Sequence, residues 1–206
     1  MSLAYLALGD SYTIGEGVAV EDRWPHQLAA ALRARGIALD APRTIATTGW
    51  TTDELDAGID ADAPRETFDF VSLLIGVNDQ YRGRPVEDYL PRFEALLQRA
   101  LGFAGGHAQR VLVLSIPDWG VTPFAEGRDR ARIATELDAF NAAAAQACAA
   151  RQVTFVDITG LSRHHGHEPA MLVEDGLHPS ASMYRLWAQR AAPLAERLLA
   201  VPRRRP

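Results

Sequence analysis

Short apolar runs alternate along this 206-residue chain with longer segments in which apolar residues recur at helical spacing. The runs at 68–75 and 111–116 are almost continuously apolar, which is typical of parallel strands covered on both faces. The pattern predicts five strands: Leu3–Leu8, Arg43–Ala46, Phe68–Ile75, Val111–Ile116 and Thr154–Asp157.

Five helices are predicted between and after these strands, each with an apolar stripe or a start signal. Thr51 and Glu54 have capping-box spacing at the start of the second helix. Ser180 is the predicted N-cap of the last helix, and Pro193 is expected to kink or shorten it. The apolar stripes of the other helices are Trp24, Leu28 and Ala31; Tyr89, Phe93, Leu96, Leu97 and Leu101; Ile133, Leu137, Phe140, Ala144 and Cys148; and Met183, Leu186, Trp187 and Leu194.

Strand and helix alternating five times predict an α/β fold, a three-layer αβα sandwich of flavodoxin-like type around a five-stranded parallel sheet. We expect one domain over residues 1–200, followed by a disordered basic tail at 201–206. Two long stretches, Pro117–Gly127 and Ile158–Pro179, carry no clear periodicity, and loops of that length are functional or disordered.

Several properties of the whole chain exclude particular partners, locations and cross-links for this protein. A net charge of −5 argues against a nucleic-acid partner, which requires a basic face. No apolar run approaches the roughly 20 residues needed to span a bilayer, so no stable membrane insertion is expected. The first strand begins by about residue 3, which leaves no room for a signal peptide and predicts a cytoplasmic protein. Cys148 is the only cysteine, which precludes an internal disulfide, and its Ala-rich surroundings predict a buried thiol.

Groups capable of chemistry follow the predicted strands, where an open α/β sheet presents residues to a ligand. Ser11 follows the first strand, Gly49 the second and Asn78 the third. Asp175 and His178 lie in the long segment after the fifth strand. These positions predict that a hydroxyl, a glycine backbone without a Cβ, a side-chain amide and an acid–imidazole pair meet at one edge of the sheet.

Each of these residue types has a role in nucleophilic catalysis. The Ser11 hydroxyl needs a neighbouring base, and the His178 imidazole can accept and return a proton near neutral pH. Asp175, three residues before His178, can orient the imidazole and stabilise its charged form. Gly49 can offer an unobstructed backbone N–H, and Asn78 a side-chain NH₂, to an oxyanion.

The same residues, taken as four ordered blocks, resemble the SGNH (GDSL-type) hydrolase superfamily. The blocks are Gly9-Asp10-Ser11, Gly49, Gly76-Val77-Asn78-Asp79 and Asp175-Gly176-Leu177-His178. The resemblance implies a serine esterase with Ser11 as nucleophile, His178 as base and Asp175 as its partner. It also implies an oxyanion hole formed by the backbone N–H groups of Ser11 and Gly49 and by the Asn78 side chain.

The chain departs from the family pattern at two positions. Tyr12 replaces the leucine of the family name, and Thr47 stands where asparagine is frequent. The Gly-x-Ser-x-Gly elbow of α/β-hydrolases is absent, because Thr13 occupies the place of its second glycine. Asp10 and Asp79 are interpreted as loop-forming side chains that hold the site from behind.

The resemblance leaves the substrate open. A short-chain carboxylic ester is the preferred prediction because no long apolar lid or membrane-seeking helix is evident. The alternatives are a thioesterase or lysophospholipase using the same site, or a non-catalytic binding module of the same fold. Candidate pocket residues are Trp50, Tyr81, Trp119 and Phe124.

A second cluster, His164, His165 and His167, contains metal-ligand residue types but fits no usual zinc spacing. It is interpreted as part of a polar mobile loop, with a metal-dependent hydrolase as the alternative. We therefore expect no metal and no cofactor. The sequence makes no prediction of an oligomeric state.

Overall fold

The computed structural model describes residues 2–200 and contains a parallel sheet of five strands. The strand order is β2-β1-β3-β4-β5 and every neighbouring pair is parallel, which confirms the predicted fold class. The strands are β1 Tyr5–Gly9, β2 Arg43–Ala46, β3 Phe70–Leu74, β4 Val111–Leu114 and β5 Thr154–Val156. The predicted basic tail at 201–206 lies outside the described residues.

Eight α-helices connect or follow the strands within residues 2–200. They are α1 Ser11–Ile14, α2 Trp24–Ala34, α3 Thr52–Asp62, α4 Val77–Tyr81, α5 Val86–Phe103, α6 Arg130–Ala150, α7 Thr159–His165 and α8 Ala181–Ala200. Short 3₁₀ turns occur at Val20–Asp22, Ala108–Arg110, Trp119–Val121, Pro123–Ala125 and Pro169–Met171.

Helix packing produces the two outer layers of the sandwich. α2 packs against α8, whereas α5 packs against both α3 and α6. Every residue of β1, β3 and β4 is buried, as expected for strands covered on both faces. Trp24 of α2 and Trp187 of α8 are the largest fully buried side chains of the described residues. Cys148 is buried as predicted, and this burial raises the pKa of its thiol to about 12.

Several local predictions need correction. The strands β3, β4 and β5 are each shorter than the predicted apolar runs and end at Leu74, Leu114 and Val156. β1 begins at Tyr5 rather than Leu3, which forms only an isolated bridge with Leu39. The stretch 158–179 was expected to be irregular, but it contains helix α7. Pro193 does not shorten the last helix, which continues to Ala200. Buried residues on both sides of Pro193, among them Ala192 and Ala195, hold this part of α8 against the core despite the missing backbone donor.

Candidate active site

Ser11 is held at the junction between β1 and α1. Asp10 caps the helix, because its Oδ1 accepts the backbone N–H of Tyr12 at 3.0 Å. A Cβ at Gly9 would lie 2.2 Å from Thr13 Oγ1 and 2.5 Å from the Leu74 carbonyl oxygen. The chain can therefore turn this tightly after the strand only with glycine at position 9.

The structure brings His178 into contact with both Ser11 and Asp175. The Ser11 hydroxyl donates to His178 Nε2 at 3.0 Å, and His178 Nδ1 donates to Asp175 Oδ2 at 2.6 Å. Asp175 Oδ1 in turn accepts the backbone N–H groups of Leu177 at 2.8 Å and His178 at 2.9 Å. A single turn of chain therefore fixes the acid relative to the base.

The electrostatic state of Asp175 follows from these contacts. Partial burial would raise its pKa, but hydrogen bonds from the His178 side chain and from the backbone of His178 and Leu177 outweigh burial. The pKa of Asp175 is consequently held below its usual value. The carboxylate is thus ionised at neutral pH and can stabilise a positive charge on His178.

Gly49 and Asn78 lie at the same cavity as Ser11 and His178. Gly49 has a φ of 84°, a left-handed conformation that favours glycine. Its carbonyl oxygen accepts a hydrogen bond from Arg82 Nη2 at 2.7 Å. The Asn78 Nδ2 group donates one hydrogen bond to the Trp50 carbonyl at 2.9 Å, which leaves its second N–H for another acceptor. No hydrogen bond within residues 2–200 uses the backbone N–H of Ser11 or Gly49.

Asp79, the residue after Asn78, connects α4 to α3 through hydrogen bonds and so fixes the position of Asn78. It is fully buried and accepts the Thr52 backbone N–H at 2.9 Å and the Thr52 hydroxyl at 2.8 Å. Arg84 Nη1 adds an ion pair at 3.0 Å. Burial raises the pKa of Asp79 despite these partners. Asp79 therefore lies in a helix rather than in the loop expected from the sequence, and it supports the site from behind.

The cavity in front of Ser11 has a volume of about 210 Å³. We call two sets of its lining residues the polar wall and the aromatic wall. The polar wall consists of Ser11, Gly49, Asn78 and His178. The aromatic wall consists of Tyr81, Trp119 and Phe124, three of the four aromatic residues predicted to lie here. Tyr12, Thr48, Val77 and Leu177 also line it.

Trp50, the fourth predicted pocket residue, is placed elsewhere. Its ring covers Gly58 of α3 so closely that a Cβ at position 58 would lie 2.2 Å from the indole. The prediction was wrong in its choice of side chain, because Trp50 packs on a helix while its backbone carbonyl accepts the hydrogen bond from Asn78.

Gln80 is a residue of the site that the sequence did not single out. Its Oε1 accepts the Trp119 indole N–H at 2.8 Å, and its Nε2 donates to Glu136 at 2.7 Å. Since Gln80 is two residues after Asn78, α4 carries an amide of the polar wall and also fixes the aromatic wall. The signal available in the sequence was a second amide side chain two residues after Asn78, in the segment that follows β3.

A family model described as the GDSL-like lipase/acylhydrolase family matches residues 7–186. The chain belongs to this family. It is a hydrolase of the SGNH type, in agreement with the resemblance carried by its four blocks. Ser11, Gly49, Asn78, Asp175 and His178 all lie inside the matched range of this acylhydrolase.

Solved structures share the fold of this acylhydrolase. A lipolytic protein of the G-D-S-L family from Desulfitobacterium hafniense DCB-2 is 17% identical, with a TM-score of 0.73 over 94% of this chain and 99% of that chain. Axe2, an acetyl-xylooligosaccharide esterase from Geobacillus, is 20% identical, with a TM-score of 0.67 over 99% and 97%. The esterase EstA from Pseudoalteromonas, solved with monoethylphosphonate as inhibitor, is 18% identical, with a TM-score of 0.61 over 96% and 94%. A comparison with curated proteins gave no match.

The histidine cluster of this acylhydrolase is not a loop as predicted. His164 and His165 are the last residues of α7, and their rings meet edge to face at 4.5 Å. His165 Nδ1 donates to Glu168 Oε1 at 2.8 Å. Within residues 2–200, no group of three or more His, Cys, Asp or Glu side chains is arranged to hold a metal ion.

None of the helices within residues 2–200 combines the length and the apolar character that crossing a bilayer requires.

Proposed function

We propose that this acylhydrolase is a serine esterase that hydrolyses short-chain carboxylic esters through an acyl-enzyme. The observation that carries the proposal is the unbroken chain from the Ser11 hydroxyl to His178 at 3.0 Å and on to Asp175 at 2.6 Å. A serine hydroxyl, an imidazole and a carboxylate in this arrangement have the geometry of an activated nucleophile.

In the first half of the reaction, Ser11 Oγ bonds to the acyl carbon while His178 Nε2 takes the hydroxyl proton. The negative charge on the former carbonyl oxygen is stabilised by the N–H groups of the polar wall. The intermediate then collapses, the bond to the alcohol oxygen breaks, and His178 returns the proton to the departing alcohol. Asp175 stabilises the imidazolium between these two transfers.

The second half releases the acid. Water attacks the acyl carbon of the Ser11 ester while His178 takes one of the water protons. Collapse of this second intermediate breaks the bond to Ser11 Oγ, which recovers its proton from His178. The cycle ends with a carboxylic acid, an alcohol and the starting enzyme, so every step is supplied by this chain, the ester and water.

Cavity size supports a short acyl group. A cavity of about 150 Å³ holds a benzene-sized molecule, so the 210 Å³ in front of Ser11 has room for a short acyl group. The description of Axe2 as an esterase for an acetylated sugar is consistent with this size. The cytoplasmic location predicted from the sequence belongs to the same proposal.

The test compares Ser11→Ala with Ser182→Ala, a matched control whose hydroxyl lies on α8. The substrates are p-nitrophenyl acetate, butyrate and octanoate, with an acetyl thioester as a separate arm. We expect Ser11→Ala to lose about 10³-fold or more in kcat/KM while Ser182→Ala keeps the wild-type value. We also expect wild-type kcat/KM to fall from butyrate to octanoate. A Ser11→Ala protein with the wild-type rate would overturn the proposal.

A further inference from the structure

Arg128 covers the aromatic wall of the cavity from the solvent side. Its guanidinium carbon lies 5.1 Å from the ring centre of Tyr81, 5.4 Å from that of Trp119 and 5.6 Å from that of Phe124. Trp119 is buried, whereas Tyr81 is 44% and Phe124 40% exposed. Tyr81 and Phe124 therefore line the cavity and also reach the surface, and Arg128, itself exposed, packs against them without lining the cavity.

The guanidinium group of Arg128 is largely unused by the protein. One of its five N–H donors reaches an acceptor, the Tyr81 hydroxyl at 3.1 Å from Nη2. Within residues 2–200 it forms no ion pair. Its sequence neighbour Asp129 accepts the Arg132 backbone N–H as the cap of α6.

Other arginines near the cavity are used differently. Arg82 pairs with Glu54 at 3.2 Å and donates to the Gly49 carbonyl at 2.7 Å. Arg130 donates to the carbonyl groups of Gly120 at 2.6 Å and Thr122 at 3.1 Å. These contacts occupy their donors in holding backbone segments, whereas Arg128 contacts the aromatic wall and has no carboxylate partner within residues 2–200.

We propose that Arg128 binds a carboxylate or phosphate group on the substrate, so that this enzyme prefers anionic esters. Contact with three rings restrains the guanidinium, whose planar fork of donors can give two parallel hydrogen bonds to an anionic group. The inference rests on the proposed function, because it assigns a substrate class to the same cavity. An acid on the alcohol side or on the acyl side of the ester would satisfy the same arginine.

Two pairs of nearly isosteric esters separate charge from shape. On the alcohol side, 4-acetoxybenzoate is compared with 4-acetoxybenzamide; on the acyl side, monoethyl succinate is compared with ethyl succinamate. Each pair is measured with wild type, Arg128→Met, Arg128→Lys and the control Arg190→Met, an exposed arginine on α8. The Met variant keeps the stem over the rings and removes the charge.

For at least one pair, we expect wild type to favour the anion about tenfold in kcat/KM, chiefly through KM. Arg128→Met should lower this preference, measured as the ratio of kcat/KM for the anion to kcat/KM for the amide in the same variant, to less than about twofold. Arg128→Lys should keep part of the preference, and Arg190→Met all of it. The pair that responds identifies the side of the ester that carries the acid.

Three outcomes would overturn the inference: no preference in wild type for either pair, a preference that survives Arg128→Met, or an equal loss with Arg190→Met. Each would mean that Arg128 only packs on the rings. Failure of the proposed function looks different, because wild type would then hydrolyse neither the anionic nor the neutral esters. Melting temperatures of all variants show whether each is folded.

Discussion

Hydrogen bonds hold the polar wall of the cavity, whereas ring contacts hold most of the aromatic wall. On the polar wall, the helix cap at Asp10 and the turn at Asp175 fix Ser11 and His178 through bonds of 2.6–3.0 Å. On the aromatic wall, ring centres lie 5.3–6.3 Å apart, and two hydrogen bonds add direction: one from Trp119 to Gln80 and one from Arg128 to the Tyr81 hydroxyl.

We expect this difference to separate the residues that set the rate of the chemical step from those that set the choice of substrate. Hydrogen bonds with one allowed geometry can position reacting atoms to a few tenths of an ångström, which the chemical step requires. Ring contacts are broad and tolerate several arrangements, so they shape the space for the substrate rather than the reaction. Changes in the polar wall are therefore expected to lower kcat, and changes in the aromatic wall to alter the choice of substrate.

The largest effect is expected from Asp175→Asn. This change removes the carboxylate charge next to His178 of the polar wall and keeps the shape of the side chain. The amide cannot stabilise the imidazolium as a carboxylate does, and it favours the wrong tautomer of His178. We expect kcat/KM for p-nitrophenyl butyrate to fall about 10³-fold. Glu174→Gln, a change at the adjacent exposed acid, should leave kcat/KM within about twofold of wild type. Equal losses in both variants would show that local charge, not the contact with His178, matters.

A smaller effect is expected from Phe124→Ala, which opens the aromatic wall. Phe124 is 40% exposed, so its removal should not unfold the protein. We expect the ratio of octanoate to acetate hydrolysis to rise about tenfold, while kcat for acetate stays within about threefold. An unchanged ratio with a large loss in kcat would mean that the two walls do not divide rate from selectivity.

The smallest effect on activity is expected from Asp10→Asn. This change tests how the acid that caps α1 behind Ser11 affects the free energy of unfolding. Asp10 is fully buried with Oδ2 unpartnered, and burial raises its pKa to about 7. The stability that comes with protonated Asp10 is complete below about pH 4 and is lost as the pH rises through about 7.

Asparagine resembles the protonated acid and keeps an acceptor for the Tyr12 N–H. We therefore expect the free energy of unfolding of Asp10→Asn, relative to wild type, to increase by about 2–3 kcal/mol between pH 5 and pH 8. Urea unfolding at both pH values measures this difference. A constant difference between the two proteins would show that Asp10 does not titrate in this range.

The fold and the polar wall could be predicted because their signals are local. Continuous apolar runs predict parallel strands, and polar residues directly after strands lie at one edge of the sheet. Ser11 and Asn78 follow their strands immediately, so small errors in strand bounds did not displace them. Asp175 and His178 are three residues apart and contact each other within one turn.

The aromatic wall depends on contacts between distant segments, which local patterns do not report. Trp50 and Tyr81 both follow strand ends, yet Trp50 packs on Gly58 and Tyr81 lines the cavity. The contact of Arg128 with the three rings joins residues 47 positions apart in the case of Tyr81. Helix α7 was missed because seven residues give less than two full periods of a helical pattern.

Covalent labelling provides the sharpest test of whether Ser11, activated by His178, is the nucleophile. Wild type, Ser11→Ala and His178→Ala are treated with a fluorophosphonate probe, and the adducts are located by mass spectrometry of peptides. We expect one adduct on Ser11 in wild type, none in Ser11→Ala, and labelling at least about 10²-fold slower in His178→Ala. An adduct at another residue, or a wild-type protein that hydrolyses esters but never forms the Ser11 adduct, would contradict this role of Ser11.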